Sequence, residues 1–230
     1  ALQVVGIDSK GRTQRVYSAA HSEKAAAAKF NRLREFDSKI GNIRANYNKD
    51  LASGGPKADH AAALRLIDKT GLRVGSDRET GGKEKAYGAS TLRAEHAKVD
   101  GNKITLEFTG KKGVRQSHTF EDAKLASFLG PKIEAGGRLF NTSDTALRSY
   151  LKSIGGEGFK VKDFRTRVAT QEALKHISSM DIPSGSKAYK KSVMEVAKKV
   201  SDKLGNNPSM ALKAYIDPTV FGRWNKGEKM

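Results

Sequence analysis

The chain has 230 residues, with 43 Lys and Arg against 25 Asp and Glu and a net charge of +18 at pH 7. At 37% hydrophobic residues it carries enough apolar side chain to bury a core, which a disordered basic tail does not. No run approaches the ~18 apolar residues of a membrane helix. No secretory signal is expected at the amino terminus, and the lack of cysteine excludes disulfides, thiolate zinc sites and cysteine nucleophiles. An intracellular protein with a polyanionic partner is the expectation, because neutralising phosphates with Lys and Arg gains affinity through counterion release.

Residues 2–7 and 13–17 read as two short strands around a turn at Asp8-Ser9-Lys10-Gly11-Arg12. From His21 to about Asp50, Phe30, Leu33, Phe36, Ile40 and Ile43 recur at helical spacing. Ser53-Gly54-Gly55-Pro56 breaks that pattern, with a weak boundary over 53–58, and a second helix is expected over 59–70, closed by Gly71. Residues 75–89 read as irregular. Residues 103–108 alternate with a period of two, and 114–120 pair back on them across a basic tip, Thr109-Gly110-Lys111-Lys112-Gly113. Helices follow over about 121–129, 144–154, 161–180 and 186–204, with a last short one after Pro208. Sheet elements first and helices afterwards predict an α+β fold that is mainly helical.

Several chemistries lack their signatures. There is no GxxxxGK[ST] loop, no GxGxxG and no HExxH, and the five histidines, His21, His60, His96, His118 and His176, show no metal-ligand spacing. Neither a metal nor an organic cofactor is expected. Lys187, Lys190, Lys191, Lys198, Lys199 and Lys203 line a helix whose opposite stripe is Val193, Val196, Val200 and Leu204. That basic face reads equally as a solvated surface or as one that tracks phosphates, Lys190 and Lys191 being its DNA-binding candidates.

Four stretches in order carry more: Asp68-Lys69-Thr70-Gly71-Leu72-Arg73-Val74-Gly75 followed by Tyr87-Gly88-Ala89-Ser90-Thr91-Leu92-Arg93-Ala94-Glu95-His96; Phe108-Thr109-Gly110-Lys111-Lys112-Gly113; Lys162-Asp163-Phe164-Arg165-Thr166, continuing to Ala169-Thr170; and Gly205-Asn206-Asn207-Pro208-Ser209 running to Lys213-Ala214-Tyr215. This ordered set resembles the catalytic domain of the type IB DNA topoisomerases, most closely the small bacterial and poxvirus-like branch. The resemblance extends from the hairpin around Asp8–Gln14 to about Pro218. It implies the catalytic-core fold shared with tyrosine recombinases, with residues 1–20 a short β-hairpin left from an amino-terminal region and 21–230 the catalytic domain.

By the same resemblance Arg73 and Arg165 are the two catalytic arginines, Lys111 the hairpin lysine, and Tyr215 the nucleophile. Where most members carry a histidine, this chain has Asn206, which can donate a hydrogen bond to a phosphoryl oxygen but cannot carry a proton charge. Lys162 and Tyr87 are lesser candidates for DNA contact, and Lys112 competes with Lys111. The implied reaction opens one DNA strand through a 3′-phosphotyrosyl link, lets the duplex rotate, and reseals it without ATP. The link conserves the bond energy needed for resealing. Permanently charged, planar guanidinium groups suit the charge that spreads over the non-bridging oxygens, and a lysine can protonate the departing 5′-oxygen. The expected partner is double-stranded DNA, not a membrane, engaged by a monomer in the bacterial cytoplasm and nucleoid or in association with a virus. A tyrosine site-specific recombinase and a non-catalytic DNA-binding protein of the same fold are the alternatives.

Overall fold

A computed structural model describes residues 2–9, 11–77 and 85–225. Strands β1 (Leu2–Ile7) and β2 (Thr13–Tyr17) pair antiparallel, their turn fastened by the Asp8 carboxylate, which accepts from the backbone N–H and the Nε of Arg12 and from Gln14. Leu2, Val4, Val5, Ile7, Val16 and Tyr17 are exposed on this ribbon. The long helix α1 (Ala19–Ser53) begins where the Ser18 hydroxyl accepts from the His21 N–H, and ends at Gly54 in a left-handed conformation. The expected stripe of Phe30, Leu33, Phe36, Ile40 and Ile43 is buried, and Tyr47 and Leu51 extend it to the end of the helix.

Helix α2 (Ala58–Thr70) packs on α1 and buries almost every side, consistent with its run of alanine and leucine. It stops at Gly71, whose φ of 69° disfavours any residue with a Cβ. Space excludes one too, since a Cβ there would come within 2.9 Å of Leu204 and 3.2 Å of Val168. A three-stranded antiparallel sheet follows, in the order β3 (Ala97–Asp100), β4 (Lys103–Thr109), β5 (Arg115–Glu121). β4 and β5 are the predicted hairpin, whereas the four-residue β3 is too short to leave a periodic signal.

Helices α3 (Ala123–Ala135), α4 (Asp144–Gly155), α5 (Val161–Ser178), α6 (Gly185–Leu204), α7 (Pro208–Ala214) and the short α8 (Gly222–Asn225) complete the described chain, which is therefore mainly helical. α3 outruns the expected end at 129, passing through Pro131. Proline removes one backbone donor and restricts the residue before it, and here that residue is Gly130, which lacks the Cβ that would clash.

Buried apolar residues form two clusters. The larger joins α1, α2, the three-stranded sheet, α3 and α4 to Val161 and Phe164 of α5. The smaller joins Val168, Ala169, Ala173 and Ile177 of α5 to α6, α7, Phe221 and Trp224. One helix thus supplies both, first on one side and then on the other. Its entry is fixed by Asp163, whose carboxylate accepts from the Lys160 N–H at 2.8 Å and takes both prongs of Arg32 from α1 at 2.9 Å. Next to it, Phe164 meets Phe36 edge-on with ring centroids 4.8 Å apart, and Phe36 also meets Phe159. Because Phe36 is fully buried between these rings, Phe36→Ala is expected to cost about 3–5 kcal/mol of stability, read from urea unfolding.

Candidate active site

The seam between the two clusters holds Arg165, 3% exposed. One turn of α5 places Asp163 toward α1, Phe164 into the core and Arg165 between α2 and α6. There Nη1 donates to the Gly71 carbonyl at 2.6 Å and Nη2 to the Leu204 carbonyl at 2.8 Å. Both carbonyls belong to helix ends capped by left-handed glycines, Gly71 and Gly205, so one guanidinium ties the termini of α2 and α6 together. Its plane also lies over Tyr215, 4.8 Å from the ring centroid. Burial first, and then the like charge of Arg73, pull the Arg165 pKa below its usual range, while Tyr215 acts in the opposite direction. The charge of Arg73 is therefore felt at this point.

Arg73 follows the α2 cap in a stretch whose backbone is gripped from the other side. Its carbonyl accepts from the Ala89 N–H at 2.8 Å, and that of Val74 from the Ser90 N–H at 2.6 Å. Gly88 allows this approach: a Cβ there would sit 2.6 Å from Gly75 Cα and 2.7 Å from the Arg73 carbonyl. The glycine of Tyr87-Gly88-Ala89 is accordingly a packing requirement. Tyr87 donates its N–H to the Thr109 carbonyl at 2.8 Å and sets its ring edge-on to His96, centroids 4.3 Å apart. It thereby braces the Arg73 stretch against the base of the β4–β5 hairpin. His96 accepts from the Arg93 N–H, a structural bond.

Asn206 lies in the turn between α6 and α7. Its Nδ2 and Oδ1, like Nε of Arg165, are buried with no hydrogen-bond partner among the described residues. Buried polar atoms are almost always paired, and here three unpaired ones fall on two of the residues singled out in the sequence. Gln116 of β5 reaches the same turn: its Nε2 lies 3.4 Å from the Gly205 carbonyl, and a Cβ on Gly205 would overlap its carboxamide. His118, two residues on, is held down to about 4 by burial, then by the charges of Arg165 and Lys203, and stands neutral beside the arginine at pH 7.

Tyr215 follows the last residue of α7. Its N–H donates to the Ala211 carbonyl at 3.0 Å, and its carbonyl accepts from the Thr170 hydroxyl of α5 at 3.3 Å. The preceding carbonyl, Ala214, accepts from the Lys29 ammonium of α1 at 2.9 Å. Among the named candidates, the structure thus brings Arg165, Tyr215, Asn206 and Arg73 into one region. Lys111 is exposed at the hairpin tip, in a tight turn where Lys112 takes φ of 65°, and it makes no hydrogen bond or ion pair among the described residues. Lys162 is exposed in the first turn of α5, near enough to Lys29 for its charge to lower that group's pKa. Lys190 and Lys191 are exposed on the first half of α6, on the order of 20 Å along the axis from the end held by Arg165. They are not part of the cluster. Lys29, Gln116 and His118 went unassigned in the sequence, and Thr170 stood there only at the end of a motif, without a role. What Lys29, Thr170 and Gln116 hold lies far along the chain, and no local spacing marks it.

Fold and site together describe a mainly helical α+β core in which a tyrosine is held against a buried arginine, with unpaired donors beside it. Residues 18–219 match the catalytic core of eukaryotic DNA topoisomerase I. The chain is 27% identical to a DNA topoisomerase 1B of Acanthamoeba polyphaga mimivirus, over 94% of its own length and 70% of that protein's. It is 24% identical to the DNA topoisomerase 1B of Vaccinia virus (strain Copenhagen), over 96% and 71%. Against the DNA topoisomerase 1 of Homo sapiens it is 29% identical, over 74% of this chain and 24% of the human protein. The chain belongs to the DNA topoisomerase I family, in its type IB, poxvirus-like branch.

Proposed function

We propose that this chain relaxes supercoiled double-stranded DNA as a monomer, with Tyr215 as nucleophile, Arg73, Arg165 and Asn206 holding the scissile phosphate, and Lys111 as general acid. The observation that carries the reading is the meeting of Tyr215 with Arg165, beside buried, unpaired polar atoms of Arg165 and Asn206. Nε of Arg165 and Nδ2 of Asn206 are donors of the kind a phosphoryl oxygen accepts from, and a dry, prearranged donor acts most strongly where charge develops in the transition state.

In the forward step the Tyr215 phenol gives its proton to water, its oxygen bonds to phosphorus, the bond from phosphorus to the 5′-oxygen breaks, and that oxygen takes a proton from Lys111. Resealing is the reverse: the 5′-hydroxyl attacks, returns its proton to Lys111, and expels the tyrosine, which regains its proton from water. No net bond is gained or lost, so torsion in the DNA drives the reaction and no nucleotide is consumed. The direct test is to quench the protein on duplex DNA with detergent and digest it to peptides. DNA covalently attached to the peptide containing Tyr215, together with relaxation whose rate is first order in enzyme, supports the proposal. Relaxation without such an adduct overturns it.

The role of Lys111 has a separate readout. Lys111→Ala is expected to slow cleavage about 10²–10⁴-fold, the usual range for a general acid. A duplex whose 5′-bridging oxygen is replaced by sulfur, a leaving group that needs no proton, should recover most of that rate. An equal defect on both substrates would assign the lysine to DNA binding.

A further inference from the structure

The segment that carries Tyr215 leaves its helix in a way that orphans two carbonyls. In a continuing helix the Ala214 carbonyl would accept from the residue four positions on, but that residue is Pro218, which has no N–H. The Tyr215 carbonyl would accept from the Thr219 N–H, which instead donates to Asp217 Oδ1 at 3.0 Å. Both peptide oxygens flanking the tyrosine are therefore without helical partners, and each is met by a side chain from a different element. Lys29 of α1, half-buried and 185 positions away, donates to Ala214 at 2.9 Å. Thr170 of α5 donates to Tyr215 at 3.3 Å, while its hydroxyl oxygen accepts from the Asp217 N–H at 3.1 Å.

We propose that Lys29 and Thr170 are positioning residues for the nucleophile: they clamp the peptide units on either side of Tyr215 and hold its ring against Arg165. This rests on the reading of Tyr215 as the nucleophile. Lys29 is suited to an internal bond more than to a phosphate. Its ammonium lies 4.1 Å from the Phe30 ring centroid as well as on the carbonyl, and burial, then the charge of Lys162, pull its pKa below the ordinary lysine value, with Asp217 opposing. α1 reaches the same turn again through Arg34, 3.7 Å from Asp217. Neither Lys29 nor Thr170 reaches the reacting atoms, so each acts by restricting where the phenol can be.

The test is single-turnover cleavage of a nicked duplex, with DNA affinity measured across salt concentrations. Lys29→Met keeps the aliphatic stem and removes the donor; cleavage should fall about 10²-fold, the scale of an ångström of misplacement. Affinity and its salt slope should stay unchanged. Religation of adduct accumulated on the same variant should fall far less, because the tyrosine is then already tethered to the phosphate. Lys29→Arg and Thr170→Ser, which retain a donor, should recover most of the rate, whereas Thr170→Val should not. Wild-type cleavage by both Lys29→Met and Thr170→Val would overturn the proposal. So would a Lys29→Met defect confined to affinity, with the salt slope reduced by about one, which marks a phosphate contact. If Lys29→Met fails to fold, the Thr170→Val and Thr170→Ser pair decides. Adduct formation by Tyr215→Phe would instead refute the reading of the nucleophile, an outcome distinct from all of these.

Discussion

Tyr215→Phe is expected to abolish DNA relaxation while leaving DNA binding and its salt dependence intact. The substitution removes only the phenolic oxygen. The ring, the Ala211 and Thr170 backbone bonds and the stacking of the Arg165 guanidinium on the ring do not depend on that oxygen. Folding should be unchanged, so the loss will lie wholly in the chemical step. Relaxation at below a thousandth of the wild-type rate, with no detergent-trapped adduct, is the expected result. Affinity should survive because the +18 charge is spread over the whole chain. Residual nicking above that level would mean that another group attacks the phosphate.

Arg165→Lys should be nearly as damaging, for two separable reasons. A lysine cannot donate to the Gly71 and Leu204 carbonyls at once while also presenting a donor toward Tyr215. One buried carbonyl then loses its partner, at about 1–3 kcal/mol of stability. The larger effect is on cleavage, where loss of an arginine that stabilises transferring phosphate is expected to cost about 10³-fold or more. Measuring unfolding and single-turnover cleavage on the same preparation separates them. A drop in stability with cleavage preserved would leave Arg165 as a helix tie alone.

The fold was legible where periodicity ran long enough to be seen. α1 shows its stripe over about six turns, and the β4–β5 hairpin shows both alternation and a glycine-rich tip. β3 was not legible, because four residues with one buried side chain cannot display a period. α3 was cut short by the ordinary reading of Gly-Pro as a stop, a local rule outweighed by the packing of Ile133, beyond the proline, against the core. The candidate site was legible as an ordered set of motifs, since each is a short run of unusual residues. Its supports were not. Lys29 looks like any lysine on an amphipathic helix, and the bond it makes is set by the topology that lays α1 beside the end of α7. Similarly, His118 showed only a lack of metal-ligand spacing, and the register that places Gln116 opposite Phe108 and His118 opposite Leu106 carries it toward Arg165.

The division of α5 between two apolar clusters bears on safety as much as on geometry. A protein that opens DNA must not be able to cut when it is only partly folded, since a broken strand left unsealed is a lesion. Arg165 sits where the two clusters meet, holding one helix end from each, so it is correctly placed only when both are assembled. Any opening that separates α6 and α7 from α2 parts the Gly71 and Leu204 carbonyls, so that Arg165 can no longer hold both. With the roles proposed for Arg165 and Tyr215, strand cleavage is then confined to the fully folded molecule, the same state that can carry out resealing.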